Sequence, residues 1–330
     1  MPTPRTPETL LAAARLYYLQ GRSQAEVAQA LGTSRSNVSR MLAEAQRQGI
    51  VEIKINDPGG RVHELEEQLE QRFGLRDVRV AHGAGAGVRL EDQVGVQASR
   101  LLLENLKDSM TVALSWGHAL QSMVYATTGD DTHSGVTLVQ LVGGLSSIRN
   151  EISGQELVRE LAVRLGAGYR FLHAPATLES SVARDALLSE TSIADALETA
   201  TRADLAVVGI GTPTHGSSSA ILDALRLEDD EAEHFWAQQP VGDVAARYYT
   251  ASGKAVRGAV EEHVMAVTLD DLIAIPHVIG VAYGRAKAPG VLGALRGHII
   301  DSLVCDEGLA RHLLSDELST ASPVPTTGGA

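Results

Sequence analysis

The chain has 330 residues, 44% hydrophobic and 21% charged, which is ordinary soluble globular composition and too long for one small domain. Its single cysteine, Cys305, excludes an intramolecular disulfide and a cysteine-rich metal site, and no run of about 18 apolar residues is present to span a membrane. A net charge of −13 looks wrong for a DNA-binding protein, but residues 1–55 hold seven basic residues against four acids, a net of +3 that leaves −16 for the rest. Screening beyond about 8 Å lets such a basic head meet phosphate on an acidic body.

Residues 1–7 carry three prolines and lack the apolar core of a signal peptide, so they read as a loose arm of a cytoplasmic protein. Residues 9–19 read as a first helix stopped by Gly21. The stretch 23–49, SQAEVAQALGTSRSNVSRMLAEAQRQG, then holds two short helical patterns broken at Gly32. Val27, Ala28 and Leu31 share one face of the first. Val38, Met41, Leu42 and Ala45 repeat at i, i+3, i+4, i+7 in the second. Counted from Gln24, a small residue (Ala28), a turn glycine (Gly32) and two locking apolar residues (Val38, Met41) fall in the order a helix-turn-helix requires. Ser34 stands where an N-cap belongs.

An ordinary pair of packed helices would explain the apolar spacing. It would not explain an outer face bearing Arg35, Ser36, Asn37, Ser39 and Arg40 with no acid before Glu44. Arginine and asparagine reach base edges in a major groove, and serines anchor phosphates. The expected DNA-facing set is Gln24, Ser34, Arg35, Ser36, Asn37, Ser39 and Arg40.

Residues 50–55, IVEIKI, alternate at period two and read as a strand, a wing beside the DNA. Residues 56–60, NDPGG, form a break, so the first domain is expected over 1–56. A linker helix is expected within 57–76, where Val62, Leu65, Leu69 and Phe73 form a thin apolar stripe among Glu64, Glu66, Glu67 and Glu70. That stripe suits either a helix-to-helix seam in a dimer or a helix lying on its own domain. The effector domain is expected over 77–318, followed by a disordered tail over 319–330.

From residue 77 onward apolar strands alternate with helical stretches. Strands are expected at 78–81, 110–114, 137–142, 169–173, 205–210, 264–268, 278–282 and 299–304. Helices are expected at 92–107, 116–127, 154–165, 193–201, 289–295 and 307–314. This order implies a large doubly wound α/β domain, a mostly parallel sheet with helices on both faces and ligands at the strands' carboxyl ends. Four of those ends are rich in glycine or small polar residues: Ser115-Trp116-Gly117-His118, Gly143-Gly144-Leu145-Ser146-Ser147, Gly211-Thr212-Pro213-Thr214, and Gly284 through Lys287. Backbone N–H groups, helix N-termini, hydroxyls and the lysine charge together describe a pocket for a small, phosphorylated, hydroxyl-rich molecule. Gly83 through Gly87 and Gly209-Ile210-Gly211 do not complete G-x-G-x-x-G, so no dinucleotide cofactor is expected. Pro240-Val241-Gly242-Asp243 reads as a tight turn that exposes its carboxylate. The eleven histidines lack metal-ligand spacing, so no metal is expected.

With these motifs assembled, the sequence resembles the SorC-type (sorbitol-operon) sugar-binding transcriptional regulators, a family that includes the bacillary deoxyribonucleoside and central glycolytic regulators. The helix-turn-helix segment carries the resemblance at the head, and LSWGHAL, VQLVGG, HAPA, ADLAVVGIG and PVGDVAARYY carry it in the body. Near the end the carrier is IPHVIGVAYGRAKAPGVLGALRGHIIDSLVCDEGLARHLL. The resemblance implies a repressor or activator whose body is similar to sugar-phosphate isomerases and CoA transferases but senses a ligand without converting it. It also implies a homodimer or homotetramer that binds operator DNA and a small sugar or sugar phosphate, non-covalently. Carried over by motif, the effector contacts are Ser115, Gly117, His118, Gln140, Gly143, Gly144, Leu145, Ser146, Gly209, Gly211, Thr212, Asp243 and Lys287. His118-Ala119 stand where the family often has Arg-Thr, a loss of one charge and one hydroxyl from that loop. A competing reading, an isomerase- or deaminase-type enzyme with Asp243 as base, lacks a paired acid in the sequence.

Overall fold

The computed structural model describes residues 6–51, 59–83, 87–129, 133–144 and 153–315. The chain divides into two compact units, residues 1–57 and 58–330.

The first unit is a trio of helices. α1 (Pro7–Ala14) starts at an N-cap threonine, Thr6, with proline in its first turn, and runs on into one π-helical turn, Arg15–Leu19. α2 (Gln24–Ala30) opens on a capping box in which Ser23 and Glu26 satisfy each other's backbone N–H. The chain turns at Gly32, φ +62°, into α3 (Arg35–Arg47), capped by Ser34. Leu10, Ala13, Val27, Val38, Met41 and Ala45 are buried together, so the spaced apolar residues form one small core. The expected strand at 50–55 does not begin as one. Ile50 and Val51 both donate N–H bonds to the Ala45 carbonyl, at 2.9 and 3.1 Å, and fold back onto the core. Residues 52–55 of that expectation lie outside the described residues.

The second unit is built on a parallel sheet. β1 (Asp77–Ala81), β2 (Thr111–Leu114), β3 (Thr137–Gln140), β4 (Gly168–Arg170), β5 (Leu205–Gly211), β8 (Val278–Val281) and β9 (Ser302–Asp306) stand in the order β1-β9-β8-β5-β2-β3-β4. Between β5 and β8 come β6 (Pro240–Val244) and β7 (Arg247–Thr250), an antiparallel hairpin. β6 pairs antiparallel with the last two residues of β5, Ile210 with Val244 and Gly211 with Asp243. From β2 the chain winds outward through β3 to β4, and from β5 it winds the other way through β8 to β9. Right-handed crossovers therefore put helices on opposite faces, and the sheet has its switch point between β2 and β5.

Two expectations change here. Residues 240–243 are a strand, and the turn falls two residues later at Ala245 and Ala246, with φ +48° and +62°. Alanine pays a steric penalty in that region, so the usual Asn-Gly signal of a two-residue hairpin is missing from the sequence. Residues 264–268 make only isolated bridges, Val264 to Thr177 and Ala266 to Val142. The carbonyls that would build a ladder are taken by the buried Arg247 guanidinium, at 2.8 Å from Val267 O and 2.7 Å from Ala266 O.

α4 (His63–Phe73) lies on the second unit. Leu65 and Leu69 are buried in its core, Arg72 Nη1 donates to the Leu314 carbonyl at 2.6 Å, and two of its glutamates face inward. Glu66, 3% exposed, accepts from Val80 N at 2.8 Å and from Arg61. Glu70 accepts from Val78 N at 3.0 Å. Those carboxylates satisfy the outer edge of β1, a use of charge that the helical pattern alone does not reveal.

Truncating Met41, fully buried at the centre of the first unit, should cost that unit about 2–5 kcal/mol. Calorimetry of Met41→Ala is expected to lower one transition and leave the melting of the second unit unmoved.

Candidate functional site

Helix α3 presents Arg35, Ser36, Ser39 and Arg40 to solvent. Its first turn has no acid, and Glu44 is engaged by Arg47 and Gln48. Among the described residues neither Arg35 nor Arg40 is in an ion pair within 4 Å. The amino end of α3 is therefore cationic, through its side chains and its helix dipole together. Three members of the expected set have structural duties. Ser34 Oγ accepts from Asn37 N at 3.2 Å, the half-buried Asn37 amide donates to Thr33 Oγ1 at 2.9 Å, and the half-buried Gln24 opens α2.

In the second unit a cleft of about 100 Å³ opens at the carboxyl ends of β2, β5 and β8, at the switch point. Ser115 follows β2 directly, and its Oγ accepts from Gly209 N in β5 at 3.0 Å, which ties the two floor strands together. Helix His118–Ala126 follows Gly117 with no side-chain cap, and helix Gly216–Leu225 follows His215 likewise. Both first turns, at His118-Ala119 and at Gly216-Ser217-Ser218, line the cleft. Two helix ends thus bring their partial positive charge to one place.

Asp243 forms a buried wall of this cleft. Ser218 Oγ donates to its Oδ1, and Tyr248 in turn donates to the Ser218 carbonyl. Burial pushes the Asp243 carboxyl above its ordinary value, opposed by the Ser218 hydroxyl, the Lys287 charge and the Ala246 N–H. Burial likewise lowers Lys287, opposed by the charge of Asp243. The Lys287 side chain has no ion pair within 4 Å among the described residues. A side chain at Gly211 would put Cβ 1.9 Å from Asp243 Oδ1 and 2.0 Å from Ser218 Oγ. Only glycine fits there. One carboxylate, one ammonium, several hydroxyls and two helix N-termini suit a ligand that carries hydroxyls and an anionic group.

Ser115, Gly117, His118, Gly209, Gly211, Asp243 and Lys287 thus come together from four separate stretches of sequence. Four other expected contacts do not line this cleft. Gln140 is buried, with Oε1 accepting from Leu172 N at 2.9 Å. Gly143 backs onto the carbonyls of Ala174 and Pro175, 2.6 and 2.5 Å from where its Cβ would stand. Gly144 exchanges backbone bonds with Ala174 and Ala176, and Thr212 is buried in a bridge to His215. Leu145 and Ser146 lie outside the described residues. Ser217, Ser218, Ala245 and Tyr283 line the cleft without having been expected. The run Gly216-Ser217-Ser218-Ser219, five residues beyond β5, was the signal for two of them.

The family model described as "Putative sugar-binding domain" matches residues 58–315, and the MarR family model matches residues 6–61. The sorbitol operon regulator of Klebsiella pneumoniae is 31% identical over 309 residues, covering 91% of this chain and 96% of that protein. The transcriptional regulator LsrR of Enterobacter sp. (strain 638) is 30% identical over 312 residues, 94% of each chain. The crystal structure of full-length SorC from Klebsiella pneumoniae aligns with a TM-score of 0.71 at 28% identity, over 93% of this chain and 99% of that one. A helix-turn-helix head, a parallel α/β body and near full-length similarity to such regulators agree: the chain belongs to the SorC family of sugar-binding transcriptional regulators.

Proposed function

We propose that α3 docks in the major groove of operator DNA, and that the cleft between β2, β5 and β8 receives a small sugar or sugar phosphate that sets operator affinity. Arg35 and Arg40 grip or read the duplex while the serines of α3 hold phosphates. Lys287 and the two helix N-termini take the effector's anionic end, and Asp243 accepts from its hydroxyls. The observation that carries this reading is the meeting of Asp243, Lys287 and two uncapped helix ends at the sheet's switch point. Binding is reversible and non-covalent, in a homodimer or homotetramer working in the cytoplasm. An effector moves DNA affinity only by as much as it prefers one arrangement of that assembly over another.

The cleft senses and does not convert. Asp243 is held by Ser218 and the Ala246 N–H, which suits fixed hydrogen bonding to a ligand. Incubation of the purified protein with pentose and hexose phosphates should yield no isomer, and turnover would favour an enzyme.

A melting-temperature screen against sugar phosphates and free polyols tests the effector directly. A ligand at a hundred times its dissociation constant should stabilise the fold by about 2.7 kcal/mol. Arg35→Ala and Arg40→Ala should each cost about 1–3 kcal/mol of operator binding in a fluorescence-anisotropy titration, with the ligand-induced melting shift kept. Loss of both activities together would count against this division of labour. Lys287→Ala should weaken the effector dose-response about tenfold or more with operator binding retained, and an unchanged curve would remove Lys287 from the site.

A further inference from the structure

The chain enters the second unit through a strap pinned to the open edge of β1. Val62 N donates to the Val80 carbonyl at 2.9 Å, His82 N donates to the Gly60 carbonyl at 2.8 Å, and Arg61 bridges antiparallel to Ala81. The start of the strap is held from a different element. Gln97 Nε2 and Arg100 Nη1, one turn apart on helix Leu90–Asn105, both donate to the Gly59 carbonyl, at 2.7 and 2.8 Å.

That same helix packs against a wall of the cleft. Gly95 lies against helix His118–Ala126 so closely that a Cβ would stand 2.5 Å from the Ser122 carbonyl carbon. The first turn of the Ser122 helix is cleft wall. Backbone-to-backbone packing of this kind does not deform gradually, so a shift at His118-Ala119 moves the helix that holds Gly59.

Gln97 is only half satisfied. It is 3% exposed, and among the described residues its buried Oε1 has no hydrogen-bond donor. A buried acceptor left without a donor raises the energy of the arrangement seen here.

We infer that Gln97 and Arg100 form a latch on the Gly59 carbonyl, through which helix Leu90–Asn105 passes occupancy of the cleft to the segment leading toward the DNA-binding unit. Gln97 and Arg100 are positioning residues, outside both binding surfaces. The latch rests on reading the cleft as the effector site, yet its test needs no effector. The sugar-phosphate melting screen succeeds or fails for that reading alone.

The test follows hydrogen exchange of the Val62 and His82 amides in the full chain, four ways as a double-mutant cycle. The combined change Gln97→Met with Arg100→Ala should speed both amides about tenfold or more, with exchange in β5 and β8 unchanged. Ala119→Leu, which fills the cleft from its helical wall, should change both amides by about threefold or more when the latch is intact, and leave them within about 1.5-fold when it is absent. A merely structural role would let the two changes add. If Ala119→Leu compromises folding, Ala119→Val provides the milder filling. An intact-latch protein whose Val62 and His82 amides ignore the filled cleft would overturn the latch, as would an equal response in both backgrounds.

Discussion

The double pairing of β5 is the constraint on which the large unit depends. Along its body β5 lies parallel between β2 and β8, and over Ile210 and Gly211 it also pairs antiparallel with β6. Residues beyond a strand's carboxyl end usually leave the sheet as a loop. Here a hairpin folds back onto that end and sets a buried carboxylate, Asp243, above the switch point. The arrangement closes only because Gly211 has no side chain and because Ala245 and Ala246 accept a left-handed turn. Strain of that kind persists where surrounding packing over-determines it, and both alanines are buried.

Charge is arranged with the same economy. The body is acidic overall, yet several carboxylates serve the backbone: Glu66 and Glu70 satisfy β1, Asp301 takes the Val278 N–H at 2.7 Å, and Asp306 takes that of Gly284. Positive groups stand instead at the amino end of α3 and at Lys287, beside two helix N-termini. A regulator of this family needs one surface for phosphate on DNA and another for its effector. The acidity elsewhere discourages non-specific adhesion to nucleic acid.

Much of this was legible in residue order. Helical spacing places Val38, Met41, Leu42 and Ala45 on one face, and all four are buried. The β-then-α alternation announced the parallel sheet, with strand ends off by one to three residues at most positions. Other features left no local trace. The apolar 264–268 stretch has the residue pattern of a strand, and that pattern does not show that the Arg247 guanidinium will occupy two of its carbonyls. Gln140 and Gly143 carry the family's motif, but Gln140 accepts from Leu172 N, Gly143 packs on Pro175, and neither lines the cleft.

Local chemistry by itself determined the head, the alternating body and the types of residue a sugar-binding cleft would use, because periodicity, capping and turn preference act between near neighbours. Tertiary structure alone decided which glycine-rich ends meet, that Asp243 is buried, and that Gln97 and Arg100 hold the entering chain. Those outcomes depend on strand order and on contacts such as Gln97 to Gly59 and Ser115 to Gly209, whose partners lie 38 and 94 residues apart. No short-range pattern records which distant groups will compete for the same carbonyl or share the same cleft.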